Sequence, residues 1–203
     1  MKVSVRTDYP GLPLGMPFTL RLLVDLTDAS VYGGGCMVRF SPIPDRVRVT
    51  QLSRFVITRS GQIVVPVEPH ETGRQVILEL RVPPQLDGEN ILLGTVEVVP
   101  CRTVTGNGEA EAIPVVVQLI PVRDFAAVPQ DQEVAAATTL QVIAVVREHA
   151  CSLLQQNRRV QAVSWLKVKV AALDALGQTD PQVVVAIDGL RVLAGDVLKE
   201  RRH

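Results

Sequence analysis

The sequence predicts an α+β fold, in which an antiparallel β-sandwich is followed by a C-terminal unit of three helices. Up to about residue 123 the chain consists of short β-branched runs separated by turns rich in Pro, Gly, Asn and Asp. No helical periodicity interrupts these runs. From about residue 128 apolar residues recur at helical spacing, first through some 25 residues without Gly or Pro. We therefore predict a sandwich domain, 1–125, and a helical domain, 128–203.

Eight or nine strands at intervals of about ten residues are typical of a sandwich. KVSVR and FTLRLLVDL come first, joined by the turn YPGLPLGMP. CMVRF, RVRVTQL, FVI and QIVVPV follow, and RQVILELRVP, NILLGTVEVVPC and IPVVVQLIPV complete the set. In RQVILELRV the period of two is clear. One face carries Val76, Leu78, Leu80 and Val82, and the opposite face carries Gln75, Ile77, Glu79 and Arg81.

The three predicted helices have recognisable ends. Asp131 can cap the first helix, and Gly177 suits the left-handed position just past the second. Asp180 as N-cap and Pro181 at the first helical position begin the third. Short connections predict antiparallel neighbours. The residues expected to face the helical core are Val134, Ala137, Leu140, Ala144, Ala150, Cys151 and Leu154; Val160, Val163, Leu166, Val170 and Leu173; and Val184, Ile187, Leu190, Leu193, Ala194 and Val197.

Composition excludes several classes of function. Acidic and basic residues balance at 21 each, so no net field attracts nucleic acid or an anionic membrane. Aromatic residues make up only 3% of the chain, which leaves few platforms for stacking bases or sugars. Cys36, Cys101 and Cys151 form no CxxC pair and predict reduced thiols. With no signal-like leader and no apolar run of about 20 residues, we expect a cytoplasmic protein without a membrane span.

No group of residues indicates catalysis or cofactor binding. His70 lies between Glu68 and Glu71, which would allow a metal site, but a surface histidine with chance carboxylate neighbours is far commoner. The loop TGNGE, 105–109, has neither a following lysine nor a following helix, so we interpret it as a hairpin turn rather than a phosphate cradle. We predict no catalytic residues, no cofactor-binding residues, no metal ligands and no enzymatic activity.

The helical half contains a histidine close to a cysteine and a cluster of basic residues. His149 and Cys151 diverge by about 200° on a helix, so they do not form a nucleophile–base pair. The segment NRRVQAVSWLKVKVAALDAL combines Trp165 with basic residues, which would suit an acidic partner. We favour a bundle helix with a solvated basic face and Trp165 packed at its edge. The basic residues of this segment are Arg158, Arg159, Lys167 and Lys169.

Three passages resemble bacterial proteins that contain a von Willebrand factor A (VWA) domain. VSVRTDYPGLPLGMPFTLRLLVDLTDA resembles their leading β segment, and VVPVEPHETGRQVILELRVPPQLDGENILLGTVEVV resembles the sandwich that follows their VWA domain. In the second passage the family phrase falls on Glu71, Gly73, Arg74 and residues 76–83. The tail VPQDQEVAAATTLQVIAVVREHACSLLQQNRRVQAVSWL resembles their C-terminal helices. The resemblance implies a β-sandwich that carries an inserted VWA domain.

The VWA domain itself is absent from this sequence. Where the resemblance implies about 170 to 200 residues of α/β structure, the chain has only ASVYGGGC, with the Gly-rich linker at 31–35. The nearest match to the Asp-x-Ser-x-Ser metal motif is Asp28-Ala29-Ser30-Val31-Tyr32, in which tyrosine replaces the second serine. We expect the linker to bridge two strands of one sandwich, at the point where an inserted domain is missing. We assign no metal ligands to this chain from the resemblance.

These observations predict a non-catalytic scaffold that normally carries an inserted VWA domain and binds protein partners whose identity the sequence does not reveal. Exposed strand edges also allow self-association into homo-oligomers. The alternative is a sandwich that binds a small molecule or carbohydrate, with His70 and the TGNGE loop at one end. The scarcity of aromatic residues counts against that alternative.

Overall fold

The computed structural model describes residues 2–27, 36–43, 45–51, 56–57, 63–67, 74–100, 111–177 and 179–199. The chain divides into two compact units, Met1–Ala135 and Ala136–His203. The strands described are β1 (Lys2–Thr7), β2 (Gly11–Pro13), β3 (Phe18–Thr27), β4 (Cys36–Pro42), β5 (Arg48–Gln51), β6 (Val56–Ile57), β7 (Ile63–Val67), β8 (Arg74–Val82), β9 (Asn90–Pro100) and β10 (Glu111–Ile120). The helices are α1 (Val122–Phe125), α2 (Gln132–Gln155), α3 (Arg159–Asp174) and α4 (Pro181–Lys199).

The predicted sandwich followed by helices is confirmed. One sheet has four strands in the order β1-β3-β8-β5, and the other has six in the order β2-β10-β9-β4-β7-β6. The pairs are antiparallel except that β2 runs parallel to β10. The segment that contains β2 was predicted to be a turn, because a strand of three residues is too short to show a period of two. Two hydrogen bonds flank it, from Gln118 N–H to the Pro10 carbonyl and from Leu14 N–H to the Ile120 carbonyl.

The sandwich core lies between the two sheets, and Phe40 is its bulkiest fully buried side chain. The alternation predicted for β8 is confirmed, since the predicted inner face is buried and belongs to the core. Ile77 points away from the core, on the face of β8 that carries the polar residues. It is nevertheless buried, together with its register partner Leu23. The outer face of the four-stranded sheet therefore carries a shielded apolar pair.

The segments on either side of the predicted linker belong to one hydrophobic core, as predicted. β3 pairs with β8 from Phe18 to Leu26, and Leu26 and Cys36 are both members of the sandwich core. Residues 28–35, which include the three glycines and the Asp28-to-Tyr32 motif, lie outside the described part of the chain.

Asp8 lies where the chain passes from one sheet to the other. Its side chain is fully buried. Asp8 Oδ1 accepts a hydrogen bond from the Arg21 backbone N–H at 2.7 Å, and Oδ2 lies 3.2 Å from Arg21 Nη1. The Asp8 carbonyl accepts a further bond from the Asp131 N–H at 2.8 Å. Burial raises the pKa of Asp8 above its ordinary value, and the bonds from Arg21 only partly oppose that rise.

Three aromatic rings pack together beside this crossover. Tyr9 contacts Phe18 and Phe125 with ring centroids 5.5 Å apart in each case, and Phe18 and Phe125 are separated by 5.1 Å. The chain has only four Phe, two Tyr and one Trp. Three of these seven rings therefore meet where the crossover, β3 and α1 come together, and the edge-on contacts of Phe18 add to area burial.

The first turn of α2 belongs to the sandwich unit. As predicted, Asp131 caps this helix, since its Oδ1 accepts the backbone N–H groups of Glu133 and Val134. The side chain of Glu133 bonds Arg6 of β1 at 2.7 Å. Because of these contacts, the sandwich unit extends to Ala135. The change in sequence pattern had indicated a boundary near residue 125.

The helical unit has its own core, to which all three helices contribute. α3 and α4 are antiparallel, because the start of α3 at Val160 and the end of α4 at Leu198 border one small groove. Asp174 at the end of α3 also pairs with Arg191 of α4 at 2.5 Å. Gly177 has a φ of 61°, as its predicted place after α3 requires, and Asp180 caps α4 through bonds to the N–H groups of Gln182 and Val183.

Three of the predicted inward positions are wrong, because Ala144, Val160 and Val184 are exposed. In α4 the buried residues Val183, Ile187, Leu190, Ala194 and Val197 follow steps of four and three residues, so the buried stripe begins one residue earlier than predicted. In α2 the stripe passes through Ile143, Val146 and Leu153, and in α3 it starts at Ala162.

We predict that Asp8→Asn changes how stability depends on pH. The raised pKa means that, as the pH falls, folded Asp8 takes up its proton before unfolded Asp8 does. The wild type therefore gains stability relative to the variant as the pH falls through the folded pKa toward the unfolded value of about 3.9, and loses this gain as the pH rises to neutral. Urea unfolding of both chains between about pH 4 and about pH 7 measures the difference.

Asp87→Asn, in an exposed turn of the same unit, is the control. Its difference from the wild type should lack this trend. A constant difference between the wild type and Asp8→Asn across the pH range would show that burial does not govern the titration of Asp8.

Candidate functional site

On one side of the sandwich the outermost strands of both sheets have open edges within the described part of the chain. β1 is the edge of the four-stranded sheet and pairs only with β3. β2 is the edge of the six-stranded sheet, but it covers β10 only at residues 118–120. Residues 111–117 of β10 therefore pair with β9 alone.

The free edge of β1 offers backbone donors and acceptors. The N–H group of Asp8 bonds the Arg21 carbonyl, which sets the direction of the backbone groups at this end of the ladder. Because backbone direction alternates along a strand, the N–H and C=O groups of Val3, Val5 and Thr7 point away from β3. An incoming strand can pair with these groups.

The free edge of β10 is partly blocked. Gln118 N–H points toward β2, so the same alternation turns Val116, Pro114 and Ala112 toward the open side. Pro114 has no N–H, which removes one donor in the middle of this edge. Natural sheets use proline in this way against unwanted strand pairing. The two edges are therefore not equivalent, and β1 is the better receptor for another strand.

A cleft of about 450 Å³ lies between the two edges. Residues 5–7 of β1 form one wall and residues 113–116 of β10 form the other, while residues 129–131 close one end. Val116 contributes an apolar side chain that is 54% exposed. A volume of this size is within the usual range for binding sites.

Carboxylates surround the one cation of this cleft. Arg6 lies 2.7 Å from Glu133 Oε2 and 3.8 Å from Asp131 Oδ2, and Asp25 also acts on it electrostatically. The hydrogen bond with Glu133 is the main cause of the raised pKa of Arg6, and the same bond lowers the pKa of Glu133. Of these charged groups only Arg6 and Asp131 line the cleft, so the charges of its described lining balance.

Most residues singled out from the sequence for possible chemistry lie outside the described part of the chain. These include His70, Glu68, Glu71, Cys101, His203 and the TGNGE loop. The strand ends that flank them are described. Cys36 pairs with both Val67 and Pro100, so the strand ends before residues 68–73 and before residues 101–110 lie at the same end of the sandwich.

In the helical unit Trp165 is half-buried and packs against the edge of the helical core, as predicted. The rings of His149 and Trp165 lie 4.7 Å apart, and Lys169 Nζ lies 4.6 Å from the centre of the indole ring. The second contact has the geometry of a cation–π interaction. Cys151 is a half-buried free thiol. Neither the thiol nor the imidazole forms a catalytic pair.

Among the described residues no three side chains of His, Cys, Asp or Glu come together as metal ligands. None of the helices in that part of the chain is both long and apolar enough to cross a membrane.

No family model and no curated protein matches this sequence. Among solved structures, the chain is similar to an uncharacterized protein from Nocardia farcinica whose crystal structure reveals an immunoglobulin-like fold. The two are 14% identical with a TM-score of 0.35, and the match covers 57% of this chain and 96% of the other.

Proposed function

We propose that this chain is a non-catalytic interaction scaffold that binds an extended segment of a protein partner in the cleft between β1 and β10. One observation carries the proposal: the open edges of two different sheets line the same cleft. Addition of a strand to a free edge is a common mode of peptide recognition, in which backbone bonds supply affinity and side-chain pockets supply specificity.

The chemistry of the cleft favours a particular partner segment. It pairs with β1, because Pro114 interrupts the donors of β10. Its apolar side chains lie against Val116 and residues 113–115 of the opposite wall. A basic residue of the segment can pair with Asp131, which lies farther from Arg6 than Glu133 does.

Val116→Lys should weaken partner binding about tenfold or more, a loss of about 1.4 kcal/mol, because it places a charge on the apolar wall. Leu86→Lys is the matched control, since Leu86 is 80% exposed and does not line the cleft. Immobilised wild type and both variants are compared for retention of proteins from an extract of the native host. Hydrogen exchange of the retained complex then shows whether the amides of Val3, Val5 and Thr7 become protected.

Equal retention by all three chains would contradict this assignment. So would a complex in which protection falls elsewhere and these three amides exchange as in the free chain.

We also propose that the sandwich is the host of an inserted VWA domain, placed between β3 and β4. The support is the anchoring of both strands. β3 keeps its register with β8 up to Leu26, and β4 begins at Cys36 between β7 and β9. Leu26 and Cys36 belong to one core. The end of β3, where the chain leaves the sandwich, and the start of β4, where it returns, are therefore held by the same packing. Hosts of this kind tolerate an insert because its ends connect to a fixed frame.

Replacing residues 31–35 by a small folded domain should therefore leave the melting temperature of the sandwich within about 4 °C of the wild type. The same domain inserted between Tyr9 and Pro10 should prevent folding, because it separates Asp8 from β2 at the crossover. Calorimetry and circular dichroism of the two fusions measure this. Loss of the sandwich in the first fusion would show that the linker region cannot host a domain.

A further inference from the structure

Two arginines lie directly opposite each other on the outer face of the four-stranded sheet. Arg48 of β5 is the register partner of Arg81 of β8. On its other side Arg81 is the register partner of Thr19 of β3. Register partners project from the same face of a sheet, so the three side chains form one row across it.

This pairing is unfavourable for the chain alone. Like charges at directly opposite positions destabilise a sheet. The nearest carboxylate paired with Arg81 is Glu79, whose Oε1 lies 4.0 Å from Arg81 Nε, and Arg81 remains 65% exposed. Arg48 forms no ion pair with any residue that the structure describes. The repulsion is therefore not removed within the described part of the chain.

The row borders a groove of about 690 Å³. Its only described carboxylate is Asp45, so Arg48 and Arg81 leave the lining with a net charge of +1 (two cations, one anion). The rest of the wall is largely apolar, with Pro17, Phe18, Val47, Val82 and Pro83. Phe18 is held by its contacts with the other two rings of the aromatic cluster.

We propose that this groove binds an oxyanion, the carboxylate or phosphate group of a ligand whose apolar part lies against Pro17 and Phe18. Guanidinium groups bind such groups through paired, charge-assisted hydrogen bonds, and two of them side by side on one face can bind one anion together. The hydroxyl of Thr19 lies in the same row and can donate a third bond. The site is formed by β3, β5 and β8, and is separate from the cleft between β1 and β10.

Sodium phosphate and sodium succinate serve as the two probes, with sodium chloride at matched ionic strength as the reference. We expect at least one probe to raise the melting temperature of the full chain relative to chloride. A shift with phosphate alone assigns a phosphate ligand, and a shift with succinate alone assigns a carboxylate ligand. Arg48→Gln and Arg81→Gln should each lower the affinity about tenfold or more, as expected when a charge-assisted bond is lost.

Arg123→Gln is the control, because Arg123 is exposed on α1 beside Asp124 and does not line the groove. It should bind the probes as the wild type does. No shift with either probe, or a shift that persists in the Arg48→Gln, Arg81→Gln double variant, would overturn the proposal.

A second measurement needs no ligand. In chloride at low ionic strength, Arg48→Gln should raise the melting temperature, since it removes the repulsion with Arg81. A lower melting temperature would mean that Arg48 stabilises the free fold, and the basis of the proposal would be wrong.

Discussion

The sandwich depends on one buried carboxylate, that of Asp8. When β1 turns away toward the second sheet, the Arg21 N–H would lose its backbone acceptor. The side chain of Asp8 takes that place, and the backbone carbonyl of Asp8 is left to bond the Asp131 N–H. A single residue thus satisfies the backbone of β3 and connects the start of α2 to the sandwich. Burial of the carboxylate has a cost, which explains the raised pKa, and two hydrogen bonds from Arg21 partly offset it.

The same crossover produces the open cleft. Because the chain leaves the first sheet after Thr7 and joins the second at Gly11, β2 reaches only the last residues of β10. The rest of β10 and all of β1 have no neighbour on that side among the described residues. The cleft is thus a consequence of how the chain exchanges sheets. Pro114 shows that its two walls differ, since one edge is blunted and the other retains every donor.

Features with a local signal were predictable from the sequence. The alternation in β8 follows from the period of two along a strand. Asp131 and Asp180 cap helices by bonding backbone N–H groups two residues along the chain, and Gly177 ends a helix through its own positive φ. Features that depend on distant partners were not. β2 exists only because β10 lies beside it. The helical phase was ambiguous as well, because Val183, Val184 and Val185 are identical side chains and packing alone decides that Val183 is buried.

The candidate sites depend on contacts between residues that are distant in sequence. Arg48 and Arg81 are far apart in sequence, and only the register of β5 with β8 makes them opposite. The chain departs from the usual pattern twice. It buries a carboxylate at Asp8, and it places two like charges opposite each other at Arg48 and Arg81, but the two cases differ. The charge of Asp8 is satisfied by groups of its own fold, so its role is structural. The repulsion between the arginines is offset only in part, by Glu79 beside Arg81, and the charge that remains is where binding of an anion has most to contribute.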